Sequence, residues 1–287
     1  METSPLLHRY EEEDTEIVED PSPKLNLLVL SCEDNPTTYF NFHQPTGTVG
    51  PIIRNLQRGI DSGLRGIGGA FRSVQLTLFD CKNQWEDLWK LSDEISQFEG
   101  VLIPGSLSDA HDLETKWIVE LRKFIVEVIA ARCIKTIGIC FGHQMLASAL
   151  GGKTGPNPEG GRVGSCQLGR RKVGGQGSMG KPWQLVCSHN DVVSELPENS
   201  VKVGDDESWI QMADYLDSGV GDRKVWARTI QAHPEYDRAQ LLNCATCFLK
   251  NDKKKINAAM SKVDWDEVKK GSESFWNDTL RLVFELK

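Results

Sequence analysis

The sequence predicts an α/β fold, a doubly wound and mostly parallel central sheet flanked by helices. Three observations carry this. Short apolar runs such as LNLLVLSC (25–32) have the continuous hydrophobicity of strands covered on both faces. Segments with helical spacing alternate with these runs, the rhythm of strand–helix–strand units. A chain of 287 residues with 39% hydrophobic content is also long enough to bury one large core.

In chain order, residues 1–24 carry Glu11, Glu12, Glu13, Asp14, Glu16, Glu19 and Asp20 with prolines at 21 and 23, a composition expected of a disordered acidic tail. Residues 25–287 are expected to form a single domain with a helical C-terminal extension. The first strand is 25–32. Asn35 to Phe71 is rich in turn residues and reads as a loop or cap; its Gly66-Ile-Gly-Gly69 end misses the dinucleotide-binding spacing. Further strands are predicted at Ser73–Cys81 and Gly100–Gly105, and helices at Trp85–Phe98 and Lys116–Cys133. TIGIC (136–140) is a fourth strand, and the helix after it stops at Gly151-Gly152. The glycine-rich stretch 153–183 breaks the rhythm and reads as long hairpins or a mobile excursion. Gln184–His189, Ser200–Val203 and Val225–His233 return to the sheet. Helices follow at Arg238–Lys250 and Asp264–Leu286, the latter interrupted at Gly271.

A formal net charge of −8 argues against a nucleic-acid partner or an anionic membrane surface, both of which need clustered Lys and Arg. The run Lys253-Lys254-Lys255 reads as a solvated helix face. No apolar stretch is long enough to span a bilayer, and Met1 onward lacks a signal-peptide pattern, so a cytoplasmic location is expected. The eight cysteines follow no disulfide framework and are expected to be reduced. Cys244 and Cys247 have CxxC spacing but lack the second pair or histidines of a zinc site, so no metal is expected.

Cys140 sits at a strand-to-helix corner. In open α/β sheets reactive groups lie beyond the carboxyl ends of strands, and a nucleophile on such a turn is held exposed. A helix N-terminus lowers a thiol's pKa, and its free amides, that of Phe141 above all, can donate to an oxyanion. Gly142 would permit close backbone approach. An isolated cysteine there would read as an inert buried side chain, but QAHPEY (231–236) supplies a base at the end of another strand. Residues i and i+2 of extended chain project to one side, so Glu235 can reach the ring of His233, fixing its tautomer and leaving the other nitrogen for a thiol proton. By role this is a Cys-His-Glu triad.

These residues resemble the class I glutamine amidotransferase family. Its nucleophile motif is similar to GICFGHQ (138–144) and its His-x-Glu motif to QAHPE (231–235). SHNDVV (188–193) and PGS (104–106) match two further pieces in order and rough spacing, and the resemblance covers about residues 25–250. It implies a flavodoxin-like three-layer sandwich and no cofactor. It further implies that Cys140 attacks the γ-carbonyl of a glutamine-type side chain with help from His233 and Glu235, through a glutamyl-thioester. Backbone N–H groups of Gly105 and Phe141 would form the oxyanion hole, and Gln144, His189, Asn190 and Asp191 would bind the γ-glutamyl group. His143 would be a structural hydrogen-bonding residue. Two departures stand out: Ala232 replaces a common bulky aromatic, and the 153–183 excursion is longer than usual.

No phosphate-loop motif and no room for a synthetase domain accompany these motifs, so the chain is expected to stand alone. Gly105-Ser106, Ala110 and Trp117-Ile118 resemble the γ-glutamyl peptidase branch, which implies a small-molecule γ-glutamyl peptide or glutathione conjugate as substrate. Two alternatives stay open. One is a glutaminase subunit that supplies ammonia to a separate synthase as partner. The other is a non-catalytic protein-binding module on the same fold, against which Cys140, His233 and Glu235 weigh; they disfavour a redox-sensing thiol protein as well.

Overall fold

The computed structural model of the chain describes residues 7–9, 22–33, 51–170, 181–205, 209–219 and 223–286. Its sheet begins with a two-residue edge strand β1 (His8–Arg9), followed by β2 (Lys24–Ser31), α1 (Pro51–Ile67) and β3 (Ser73–Asp80). Short helical turns over Trp85–Lys90, α2 (Leu91–Glu94) and Ile95–Gln97 lead to β4 (Gly100–Ile103). Next come α3 (Lys116–Phe124), continuing as a π-turn over Ile125–Ala130, then β5 (Thr136–Ile139) and α4 (Phe141–Ala149). The strands β6 (Lys153–Pro156), β7 (Arg162–Arg170), β8 (Trp183–His189), β9 (Asp191–Glu195), β10 (Ser200–Asp205), β11 (Ile210–Leu216) and β12 (Val225–Ile230) follow. The helices α5 (Arg238–Phe248), α6 (Lys253–Ser261) and α7 (Trp265–Val283) complete it.

The strand order is β1-β3-β2-β4-β5-β12-β11-β10-β7-β8. The five strands β3, β2, β4, β5 and β12 run parallel, as the sequence predicts, and β11, β10, β7 and β8 extend the sheet antiparallel. Alternation along β2 feeds two cores. Leu25, Leu27 and Val29 pack with Leu56 and Ile60 of α1 and Trp276 and Leu280 of α7. Leu28 and Leu30 face the opposite layer, with Leu121 and Phe124 of α3 and Met145 of α4. This is the three-layer arrangement that a parallel sheet requires.

Three expectations need correction. Part of the expected tail is ordered: Leu7 is buried, and His8 and Arg9 pair antiparallel with Leu78 and Thr77, while residues 10–21 lie outside the described residues. The region read as a loop contains α1, whose Ile53, Leu56, Ile60 and Leu64 repeat at helical spacing and are buried. Its glycines are contact points. A Cβ on Gly63 would stand 2.7 Å from Leu280 Cδ1 and 2.9 Å from Trp276 Cβ, and one on Gly59 would fall into the Trp276 indole. Gly271 likewise does not interrupt α7; a side chain there would strike the Gln184 carbonyl of β8. The 153–183 region, read as long hairpins or a mobile excursion, holds β6 and the first strand of the β7–β8 hairpin, in line with the first of those readings, with 171–180 outside the described residues.

Candidate active site

β5 ends at Ile139, and Cys140 turns the chain into α4 with φ 50° and ψ −100°. Such positive-φ backbone costs a non-glycine residue energy and persists only where surrounding bonds fix it. Here the Cys140 N–H donates to the Ile230 carbonyl at 2.8 Å, and the Gly142 N–H donates to Pro104 at 3.2 Å. Gly142 is required at this corner because a Cβ would strike the Ile103 carbonyl. The turn is thus bolted to β12 on one side and to the end of β4 on the other.

β12 ends at Ile230, and the chain folds back over the cysteine. The His233 N–H donates to the Val186 carbonyl of β8 at 2.8 Å. Ser272 of α7 donates its hydroxyl to Pro234 O, and Tyr236 stacks on the His233 ring with centroids 3.9 Å apart. His233 Nδ1 donates to Glu235 Oε1 at 2.7 Å, both side chains being buried. Among the described residues His233 Nε2 has no hydrogen-bond partner, nor has Glu235 Oε2. A Cβ on Gly105 would lie 3.0 Å from His233 Cε1 and 3.6 Å from Cys140 Cβ, so the ends of β4, β5 and β12 converge at one point. Burial pulls the imidazole toward its neutral form, but the Glu235 carboxylate and the Cys140 sulfur outweigh it and hold the His233 pKa well above the ordinary histidine value.

The predicted pocket residues fall into two groups. Gln144 is buried and both its amide hydrogens are used, one on the Asp191 carbonyl at 3.0 Å and one on Gln231 Oε1 at 3.1 Å. Gln231 in turn directs its own Nε2 at Cys140 Sγ, 3.5 Å away. Asn190 and Asp191 line a narrow cleft of about 40 Å³ over Cys140, together with Ser106, Asp109 and Phe248. His189 lines the same cleft, while its Nδ1 donates to the Asp191 carbonyl at 2.9 Å. His143 is fully buried: Nε2 donates to Ile210 O at 2.9 Å and Nδ1 accepts from the Thr229 hydroxyl at 2.7 Å.

Sequence reasoning missed Gln231, fully buried beside the sulfur, and His111, whose Nδ1 is 2.9 Å from Asp191 Oδ2 at the rim. Gln231 belongs to the quoted QAHPEY stretch, and its place two residues before the histidine was the available signal. Nothing local marks His111, because its partner is 80 residues away. Among the described residues no group of three His, Cys, Asp or Glu side chains is placed to hold a metal ion, and no helix is long and apolar enough to cross a membrane.

A family model described as glutamine amidotransferase class-I matches residues 64–240, more than half of the chain. Gamma-glutamyl peptidase 4 of Arabidopsis thaliana is 27% identical over 222 residues, covering 72% of this chain and 84% of its own. Gamma-glutamyl peptidase 2 of the same plant is 30% identical over 61% of this chain and 71% of its own. A Saccharomyces cerevisiae protein with a provisional glutamine amidotransferase name is 32% identical, and the match spans only 57% of its length. A Thermotoga maritima glutamine amidotransferase structure superposes with a TM-score of 0.59 at 15% identity, covering 92% of this chain and all of that one, a likeness of fold. The strand order, the corner at Cys140 and the matched residues lead to one conclusion: the chain belongs to the class I glutamine amidotransferase family.

Proposed function

We propose that this protein is a cysteine-nucleophile hydrolase that cleaves a γ-glutamyl amide bond. The observation that carries the reading is the convergence of Cys140, His233 and Gly105 at the carboxyl ends of three parallel strands, with Glu235 bracing the ring. His233 Nε2, unpartnered among the described residues, is the nitrogen left to take the thiol proton as Cys140 attacks the γ-carbonyl. The N–H groups of Phe141, the first residue of α4, and of Gly105 receive the oxyanion. His233 then protonates the departing amine, leaving a glutamyl-thioester. Water, deprotonated by the same nitrogen, releases glutamate and restores the thiol.

The cleft over Cys140 is about 40 Å³, room for little more than the reacting carbonyl, so the α-amino-acid end and the amine half would lie along the rim formed by Ser106, Asp109, Asn190 and Asp191. With its N–H groups occupied, Gln144 would meet a substrate ammonium only through its carbonyl oxygen. The γ-glutamyl peptidases among the relatives, matched over most of their length, support a peptide or conjugate as substrate.

The test is glutamate release from glutamine, glutathione and a glutathione conjugate by wild type and Cys140→Ala. Release from glutathione far above that from glutamine, abolished in the variant, is the expected result. Release from glutamine alone, rising when a synthase partner is added, would favour the ammonia donor, and no release from any substrate would favour a binding module.

A further inference from the structure

A second cavity of about 610 Å³ opens between β7 and α6. Its wall carries Arg162, Lys255 and Lys262, and none of the described residues lining it is acidic. Lys255 also pairs with Asp252 at 3.6 Å, outside the cavity wall. Two thiols, the half-buried Cys166 and the buried Cys187, are also in the lining. In the β7–β8 register Gly164 stands opposite Cys187 and Cys166 opposite Leu185, so the sulfurs are diagonal neighbours on one face of the hairpin. Gly164, at φ 130°, faces Ala259 of α6; a Cβ added to the glycine would lie 3.7 Å from the Ala259 Cβ.

We propose that this cavity is a reaction site for anionic low-molecular-weight disulfides, which thiolate Cys187 reversibly. The geometry supplies both halves of such a site. Cationic walls draw in an anion and raise its local concentration. The nucleophile is a thiolate, and Cys187 is suited to be one: the Cys166 thiol as hydrogen-bond donor, working against burial and joined by His189 and Arg162, brings its pKa down to about 5. Its sulfur attacks one sulfur of R–S–S–R. The Cys187–S–S–R bond forms as the R–S–S–R bond breaks, and the leaving R–S⁻ carries off the electron pair and takes a proton from water. Cys187 is oxidised, one R–S group is reduced to free thiol, and excess thiol reverses the step.

Cys187 also lies between two residues that hold the triad. The Val186 carbonyl accepts from the His233 N–H, and the Ser188 carbonyl is 3.8 Å from Cys140 Sγ. An adduct on Cys187 therefore loads the strand that positions both catalytic groups, and hydrolysis falls as the adduct forms. That expectation rests on the proposed hydrolase activity, whereas the adduct itself does not.

The experiment incubates the full chain, carrying Cys140→Ser to silence the nucleophile, with oxidised glutathione as the anionic probe or cystamine as the cationic one, and maps adducts by peptide mass spectrometry. The expected result is glutathionylation of Cys187 at least about tenfold faster than its modification by cystamine, a preference lost in Lys255→Ala/Lys262→Ala. Adducts on the exposed Cys247 with Cys187 untouched, or equal rates with the two probes, would overturn the proposal. The lysine variants alter exposed positions only, so the test survives if Cys187→Ser does not fold.

Discussion

Replacing Glu235 by glutamine keeps the size of the side chain and removes its charge. The carboxylate accepts from His233 Nδ1 at 2.7 Å, with the two side chains only 3% and 1% exposed. With charge centres about 4 Å apart and an effective dielectric near 20, its attraction to an imidazolium is worth about 4 kcal/mol. At ~1.36 kcal/mol per tenfold in rate this amounts to about 10³-fold. Burial alone would depress the ring's proton affinity, and the carboxylate is the larger of the two groups that reverse this. In Glu235→Gln the imidazolium that forms as the thiol is deprotonated loses this support. The predicted effect is a fall in kcat of about 10³-fold with little change in KM. The sign of the pH effect follows from the direction of the shift. The neutral ring is the base, and a ring with lowered proton affinity stays neutral to lower pH, so the acid limb of the rate profile moves further toward acid. Glutamate release from a γ-glutamyl peptide, followed across the pH range with circular dichroism as a fold control, reads both quantities. A natively folded variant with kcat within about threefold of wild type, or with an unmoved acid limb, would refute the reasoning.

Burial pushes the pKa of His143 down to about 4, against the Ile210 carbonyl that raises it. Its contribution to stability is therefore complete above the unfolded value near 6.5 and is lost as pH falls toward 4, by on the order of 3 kcal/mol. Urea unfolding at neutral and mildly acid pH should show this slope flattened in His143→Gln; a slope equal to that of wild type would count against it. Arg228 and Asp214 are directly opposed on β12 and β11 and share two bonds of 2.7 Å, with Asp214 fully buried. Arg228→Met should cost about 3–5 kcal/mol by stranding the carboxylate, and adding Asp214→Leu should recover most of it, measured as urea midpoints. Gly63→Leu drives a side chain into Leu280 and Trp276 and should destabilise by at least about 1–3 kcal/mol despite the better helix propensity. An unchanged thermal midpoint would show that α1 and α7 can separate freely.

The parallel strands were legible because a strand covered on both faces is hydrophobic at every position, as in Leu27 to Leu30. The catalytic candidates were legible for a related reason. Cys140 is marked by a change of periodicity, and His233 and Glu235 are two residues apart, so their contact is written in the local sequence. What stayed hidden depends on distant partners. Gly59, Gly63 and Gly66 masked α1, since the glycines that break isolated helices here make room for a helix more than 200 positions away. β11 escaped notice because its Gln211 and Asp214 are polar, and Asp214 is tolerable in the interior only through Arg228. His111 and Gln231 likewise acquire meaning only when Asp191 and Cys140 arrive beside them.

The position of α7 has a consequence for how the chain reaches this state. Trp276 and Leu280 roof strand β2, and Ser272 steadies the loop that carries the imidazole, yet all of α7 lies beyond residue 240, where the family match ends. During synthesis the face of the nascent sheet that α1 covers in part lacks the rest of its cover until the ribosome has passed residue 283, and that part of the parallel strands must wait unprotected for a segment made long after them. A shortened version cut at the family boundary should therefore precipitate rather than yield a smaller folded domain.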